Sequence, residues 1–285
     1  MVPLAFLGLF GKYDQPGPGV DPGQPPKPPF LRFFQIFWRK LSKFVALNLL
    51  FLLPAGAAAA ALMALLYVCP AHLVLVLPGG EAPWEFDLWT WGVVPLPLVL
   101  LSPCVAGLAF VTRSFLREEP TFLWSDFWKA VRGNWRCFLG NGLVLYLVGA
   151  VLSFSTRYYQ ARLSQDLFSY LPFWCCVLLG VVFLWAQFYL PLLFVTFDLT
   201  FRQAYRNAFL FAALGLPRNL LLTAVFAGAA LLLLALPFTG LTLAVCLVLL
   251  VTLFFSFTAY LVNFTVYPVI HRYLIQPYEK RGEGR

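Results

Sequence analysis

Side-chain chemistry needs a nucleophile beside a base, a cluster of metal ligands, or a titratable group held where its charge can change. Candidates for any of these are scarce here. Histidine occurs only at His72 and His271, and the topology derived below places them on opposite faces. The cysteines, Cys69, Cys104, Cys137, Cys175, Cys176 and Cys246, sit mostly in apolar runs with no CxxC spacing. They read as small buried hydrophobes, not as a zinc site or a disulfide framework. No HExxH and no GxSxG occurs. Asp126 and Asp198 are the carboxylates best placed for catalysis from a loop. Asp126, however, stands at the start of a helical apolar stripe and reads as a cap, and Asp198 closes an apolar run and reads as the headgroup-level end of a span. The expectation is a protein that is not an enzyme, with no catalytic residue, cofactor or metal.

Ion-coupled transport needs an ionisable group near the middle of the membrane. The long apolar windows hold no Lys, Arg, Asp or Glu. Their polar residues are neutral: Asn48, Asn141, Gln187 and Asn263, with Ser102, Thr196, Ser256 and Thr258. These can line a polyol path or hydrogen-bond between helices, and the second reading is favoured.

The elements that carry these residues follow from composition. Of 285 residues, 61% are hydrophobic and 11% charged, with a mean hydropathy of +0.81, outside the range of soluble domains. A bilayer core is crossed by about 20 apolar helical residues. Six windows meet that length approximately: 44–68, 93–112, 137–155, 171–197, 220–238 and 241–270. They are continuous apolar runs without the alternation of a barrel strand, so the expected fold is all-α and polytopic, with about six transmembrane helices. Pro54, Pro97, Pro103 and Pro191 mark expected kinks.

Basic residues orient the helices, since Lys and Arg stay on the cytosolic side. Eighteen of the 20 fall before span one, between spans two and three, between spans four and five, or in the tail; Arg157 and Arg162 fall on the other face. That other face carries Glu81, Glu85, Asp87 and Asp166. Both termini are expected in the cytosol, against the anionic lipids of the inner leaflet. The basic excess is a topogenic signal, and no nucleic-acid partner is expected. Met1–Phe10 lacks the basic leader of a cleaved signal.

Three cytosolic segments precede the outgoing spans. Residues 30–44 alternate aromatic and aliphatic residues with Arg32, Arg39, Lys40 and Lys43, as expected of a helix in the headgroup layer. Residues 125–135 begin with a capping Ser or Asp and put Phe127, Trp128, Val131 and Trp135 on one stripe. Residues 200–210 repeat the arrangement. Phe127-x-x-Ala130-x-Arg132 matches Phe201-x-x-Ala204-x-Arg206, and Asn48, Asn134 and Asn207 each follow a basic stretch. The pattern suggests three hairpin units, each preceded by a surface helix. Candidate partner or membrane-surface contacts are Asp126, Phe127, Trp128, Arg132, Asn134, Asp198, Arg206 and Asn207. A helix in such a loop can couple an importer to its ATPase; anchoring in the inner leaflet is the favoured reading. Glu118 and Glu119, beside Arg113 and Arg117, read as a solvated, mutually neutralising cluster. The Glu81–Trp91 loop, with three acids and three tryptophans, reads as an aromatic belt, with sugar stacking as the alternative. Residues 1–29 form a Pro/Gly-rich cytosolic arm, PPII-like over Tyr13–Pro29, which reads as a spacer with partner recognition as the alternative. Residues 30–275 are one membrane domain and 276–285 a cytosolic tail.

Four stretches together carry a resemblance: GLFGKYDQPGPGV (Gly8–Val20), PCVAGLAFVTRSFLREEPTFLWSDFWKAVRGNW (Pro103–Trp135), the region from FVTFDLT to GLPRNL (Phe194–Leu220), and YPVIHRYLIQPYEK (Tyr267–Lys280). In this order, over nearly the whole length, the chain resembles the YesL-like family of bacterial integral membrane proteins of unknown function. The resemblance implies a cell-membrane location and a role beside a carbohydrate importer complex. It brings no catalytic residue. The proline-rich arm and the Ala-rich first span (Ala55–Ala61) depart from the family pattern. The expected function is a non-enzymatic accessory or regulatory membrane protein, with a transport component as the alternative. The oligomeric state and the ligand are not specified by the sequence.

Overall fold

In lipid every backbone N–H and C=O must find its partner inside its own segment, so charge-free apolar runs become helices. The computed structural model describes residues 28–68, 74–77, 84–87, 89–93, 95–164 and 166–276. The arm before Pro28, Cys69, His72, Glu81 and residues 277–285 of the tail lie outside the described residues. The helices are α1 (Pro29–Arg39), α2 (Leu41–Val68), α3 (Leu96–Leu101), α4 (Cys104–Leu116), α5 (Leu123–Gln160), α6 (Tyr170–Thr196), α7 (Phe201–Leu214), α8 (Leu216–Ala235), α9 (Gly240–Leu249) and α10 (Phe255–Ile270). A π-helical turn, Leu250–Phe254, joins α9 to α10.

Five stretches are long and apolar enough to cross a membrane: Leu41–Tyr67, Leu123–Gln160, Leu167–Thr196, Leu216–Ala235 and Gly240–Ile275. The chain is therefore membrane-embedded. The second of the six expected windows differs. It is split at Ser102 and Pro103 into α3 and the shorter apolar helix α4. Pro103 stands at the cap of α4 and supplies no N–H to continue the helix. Pro54 and Pro191, by contrast, lie inside α2 and α6 without ending them.

Two further departures are local. The surface segment 125–135 and the third window form one 38-residue helix, α5, since no proline interrupts them. The loop after α2 contains a short antiparallel pair, β1 (Val74–Leu77) and β2 (Trp84–Asp87), with Val74 opposite Asp87. Part of the expected aromatic belt is thus strand, followed by a π-helical turn at Trp89–Val93.

Burial is concentrated at one end of the bundle. There α4, α6 and α10 form an inner layer, with α1, α2, α5 and α7 packed around it. One cluster joins Phe33, Phe37, Phe44, Phe115, Phe127 and Tyr260; another joins Tyr189, Leu193, Ala204, Phe211 and Val266. The same end carries Arg39, Lys40, Arg113 and Arg206, and is called the basic face below. At the opposite end burial is sparse among the described residues, and every residue from 227 to 241 is exposed. Of the described cysteines only Cys104 is buried, and Cys175 is exposed. The buried-hydrophobe reading therefore holds for one of them.

Candidate docking surface at the basic face

The turn between α4 and α5 organises this face. Glu118 adopts φ of 59°, a left-handed conformation that costs a non-glycine residue about 1 kcal/mol or more. Its carboxylate accepts a hydrogen bond from Arg39 and lies 3.7 Å from Arg32. That pairing fastens α1 to the turn. Lys40 Nζ donates to the Phe115 carbonyl at 3.5 Å, and Lys43 Nζ to Thr121 Oγ1 at 3.4 Å. The Arg39 hydrogen bond holds the Glu118 carboxyl below its ordinary range, while burial and the nearby Lys43 and Arg39 pull the Lys40 ammonium down.

The four-residue charge cluster expected here is not formed. Glu119 pairs with Arg117 at 2.9 Å. Arg113 turns inward, donating to the Val195 carbonyl at 3.1 Å and Thr196 Oγ1 at 3.3 Å, with Phe110 beneath its guanidinium. It bridges the ends of α4 and α6.

Asp126 is a cap from within. Its carboxylate accepts from the Phe122 N–H at 2.8 Å, so α5 begins at Leu123, ahead of the expected start. The expected single stripe separates into two. Phe127 and Val131 are buried with Ala130 and Phe138, whereas Trp135 is exposed and Trp128 is half-buried. Phe127 is therefore core and not a surface contact. Its ring occupies the space where a Cβ on Gly107 would stand, so a side chain at residue 107 and Phe127 exclude each other. Asn134 donates to the Ala130 carbonyl of its own helix at 3.0 Å.

Trp124, Ser125, Trp128, Lys129 and Arg132 line an open concavity of about 670 Å³. The two indoles meet edge to face, 6.0 Å apart. A second groove, about 680 Å³, lies where α7 meets the end of the last span. Asp198, Gln203, Arg206 and Asn207 form its polar side, and Phe197, Leu199, Leu210, Leu274 and Ile275 its apolar side. A capping box builds its edge: Thr200 Oγ1 accepts from the Gln203 N–H, and Gln203 Oε1 from the Thr200 N–H at 3.0 Å. Ala204, Ala208, Phe211 and Ala212 anchor α7 beneath. Asp198 and Arg206 share this groove without an ion pair within 4 Å among the described residues. The eight candidate contacts thus divide: Trp128 and Arg132 line the first groove, Asp198, Arg206 and Asn207 the second, and Asp126, Phe127 and Asn134 neither.

Inside the bundle the neutral polar groups are largely engaged. Asn48, fully buried, donates to the carbonyls of Leu250 and Val251 at 2.9 and 2.7 Å and accepts from the N–H groups of Phe255 and Ser256 at 2.8 and 3.1 Å. It supplies partners to the backbone around the π turn. Asn263 donates to Thr112 Oγ1 at 2.7 Å and the Ala109 carbonyl at 3.2 Å. Asn141 donates to Gln187 Oε1 at 3.1 Å and accepts from the Tyr205 hydroxyl at 2.5 Å. Asn219, which the sequence reading passed over, accepts from the Tyr189 hydroxyl at 3.0 Å and donates to the Ala212 carbonyl at 2.8 Å. A lone amide between Arg218 and the apolar run that begins at Leu220 was its available signal. Among the described residues, no three His, Cys, Asp or Glu side chains gather where they could hold a metal ion.

No curated protein and no solved structure matches the chain. Residues 43–156, less than half of its length and running from α2 to near the end of α5, are similar to a family described as "Protein of unknown function, DUF624".

Proposed function

We propose that this chain is a non-enzymatic accessory or regulatory protein of the bacterial cell membrane that docks a partner on its basic face, with that face and both termini in the cytosol. The groove between α7 and the end of the last span carries the proposal. It joins a row of donors and acceptors, Asp198, Gln203, Arg206 and Asn207, to an apolar wall of Leu210, Leu274 and Ile275. That is the make-up of a surface receiving an amphipathic segment. The YesL-like resemblance suggests a carbohydrate importer complex as partner. The element order supports three units of surface helix and hairpin: α1 with α2 to α4, the start of α5 with its remainder and α6, and α7 with α8 to α10.

The test is capture of crosslinked partners from native membranes. Arg206→Glu should lower recovery of an importer subunit by roughly tenfold, while Arg157→Glu on the other face leaves it unchanged. Recovery of the chain always alone would remove the basis of the proposal.

A second reading, a transport component, draws on one observation. Gln187 Nε2 is buried without a hydrogen-bond partner beside Asn141, an unspent donor of the kind that lines a polyol path. Sugar flux into liposomes that is lost in Gln187→Leu would favour it; no flux across a solute panel counts against it.

A further inference from the structure

We infer that a diacyl anionic phospholipid occupies one discrete site along α5, its phosphate on Lys129, Arg132 and Arg136 and one acyl chain in the cleft between α3 and α5. The site lies apart from the groove between α7 and the last span, so it stands or falls independently of partner docking there.

The cleft is a third concavity, about 460 Å³, walled by Val99 of α3 and by Leu139 and Leu143 of α5, with Gly140 between the leucines and Trp135 and Arg136 preceding them. A close helix approach sets its shape. Ser102 Oγ donates to the Phe138 carbonyl at 2.9 Å and occupies the space where a Cβ on Gly142 would stand. The end of α3 is thereby held against α5, and the cleft is formed in advance.

The order of residues along α5 matches an amphiphile. With about 100° between successive helical residues, Trp124, Trp128, Arg132, Arg136, Leu139 and Leu143 fall within about 120° of one another around the axis. The stripe changes character at one point. Arg136 is the last charged residue before Arg157, so the cations meet the apolar cleft where headgroups give way to hydrocarbon. From Arg136 to Leu143 the cleft follows about 10 Å of helix, against about 15 Å of hydrocarbon in one leaflet. A free anion would leave the cleft empty, and a zwitterionic lipid would bring its own cation to the basic end.

The basic end is unspent. Lys129, Arg132 and Arg136 are exposed, and none has a carboxylate within 4 Å among the described residues. Arg132 and Arg136 stand one turn apart, with about 5–6 Å between Cβ atoms, a spacing from which two planar guanidinium groups can share one phosphate. The Arg136 guanidinium lies 5.3 Å from the centre of the Trp135 ring. Trp135 is 45% exposed, an indole at the level where headgroups meet hydrocarbon.

The full chain in phosphatidylcholine nanodiscs containing a small fraction of photoactivatable phosphatidylglycerol, with a diazirine on one acyl chain, is irradiated and its lipid adducts are mapped by peptide mass spectrometry. Adducts are expected on residues 96–101 and 139–143, in greater yield than from phosphatidylcholine carrying the same chain. Arg132→Gln with Arg136→Gln should lower that yield roughly tenfold, whereas Arg202→Gln with Arg206→Gln, which removes the same charge from exposed positions of α7, should leave it unchanged. Val99→Phe, which fills the cleft and keeps every charge, should lower it as well. Equal labelling by the two lipids, adducts elsewhere only, or a yield indifferent to Arg132 and Arg136 would overturn the inference. So would full competition by inorganic phosphate at matched ionic strength, which would assign the cations to a free anion.

Discussion

Replacing Asn48 by leucine tests whether the inter-helix polar contacts hold this bundle together. Leucine keeps the γ-branched outline of asparagine but is bulkier, so the change removes the hydrogen bonds without opening a cavity and adds some crowding at a fully buried site. Asn48 makes four of them, all to the backbone from Leu250 to Ser256. Side-chain hydrogen bonds between membrane helices average about 0.6 kcal/mol each, giving about 2.4 kcal/mol for the set. The stranded groups lie around a π turn inside an apolar span, where an unsatisfied amide is costlier than in water, so this is a lower figure. For a chain of this size each kcal/mol moves Tm by about 2–4 °C, and the expected loss is about 5–10 °C. Asn134 provides the control. Like Asn48 it follows a basic stretch, yet its amide bonds only within its own helix, and Asn134→Leu should shift Tm by less than about 2 °C. Thermal unfolding in mild detergent, followed by size-exclusion chromatography after heating, measures both. Equal shifts for the two variants would refute the reasoning.

Gly107→Ala should destabilise by about 1–3 kcal/mol, because the new methyl meets the fully buried Phe127 ring; adding Phe127→Leu should recover part of that loss in the same assay. The pairing of Glu118 with Arg39 lowers the folded-state pKa of the carboxyl, so its contribution is complete above the ordinary value of 4.5 and disappears as pH falls through the folded-state value. Hydrogen exchange of α1 should accordingly rise on acidification through that range, by up to about fivefold for an exposed pair, and Glu118→Gln should abolish the pH dependence. Cysteine placed at Asn207 in a cysteine-free background should react with an impermeant maleimide only in inside-out vesicles, and cysteine at Phe238 only in right-side-out vesicles; the reverse pattern would overturn the orientation.

Much of the fold was legible because lipid imposes one rule on every span. The windows correspond to α2, α5, α6, α8 and the α9–α10 stretch, since length and absence of charge suffice to specify them. The division of the second window was harder to read, because proline is tolerated inside α2 and α6 and only the surroundings distinguish Pro103 from Pro54. Composition could not assign Phe127 and Trp128 to opposite roles either, since both are large, aromatic and adjacent. What separated them was Gly107, a partner in another helix that leaves room for one ring. The electrostatics of the turn were misread for a similar reason. Arg113 and Arg117 are near Glu118 in sequence, but the partners of Glu118 come from α1, 79 and 86 residues earlier in number.

The uneven burial along the bundle has a consequence for bilayer thickness. At the basic face the helices are locked by interdigitated rings, amide bonds and the Glu118 clasp. The distal parts of α8 and α9 make few such contacts, and residues 227–241 face their surroundings on every side. Hydrophobic mismatch costs fractions of a kcal/mol per ångström and is relieved by tilt. In this molecule the distal hairpin can tilt without disturbing the packed end, so a thinner or thicker bilayer is accommodated on one side only and the geometry of the basic face is insulated from it.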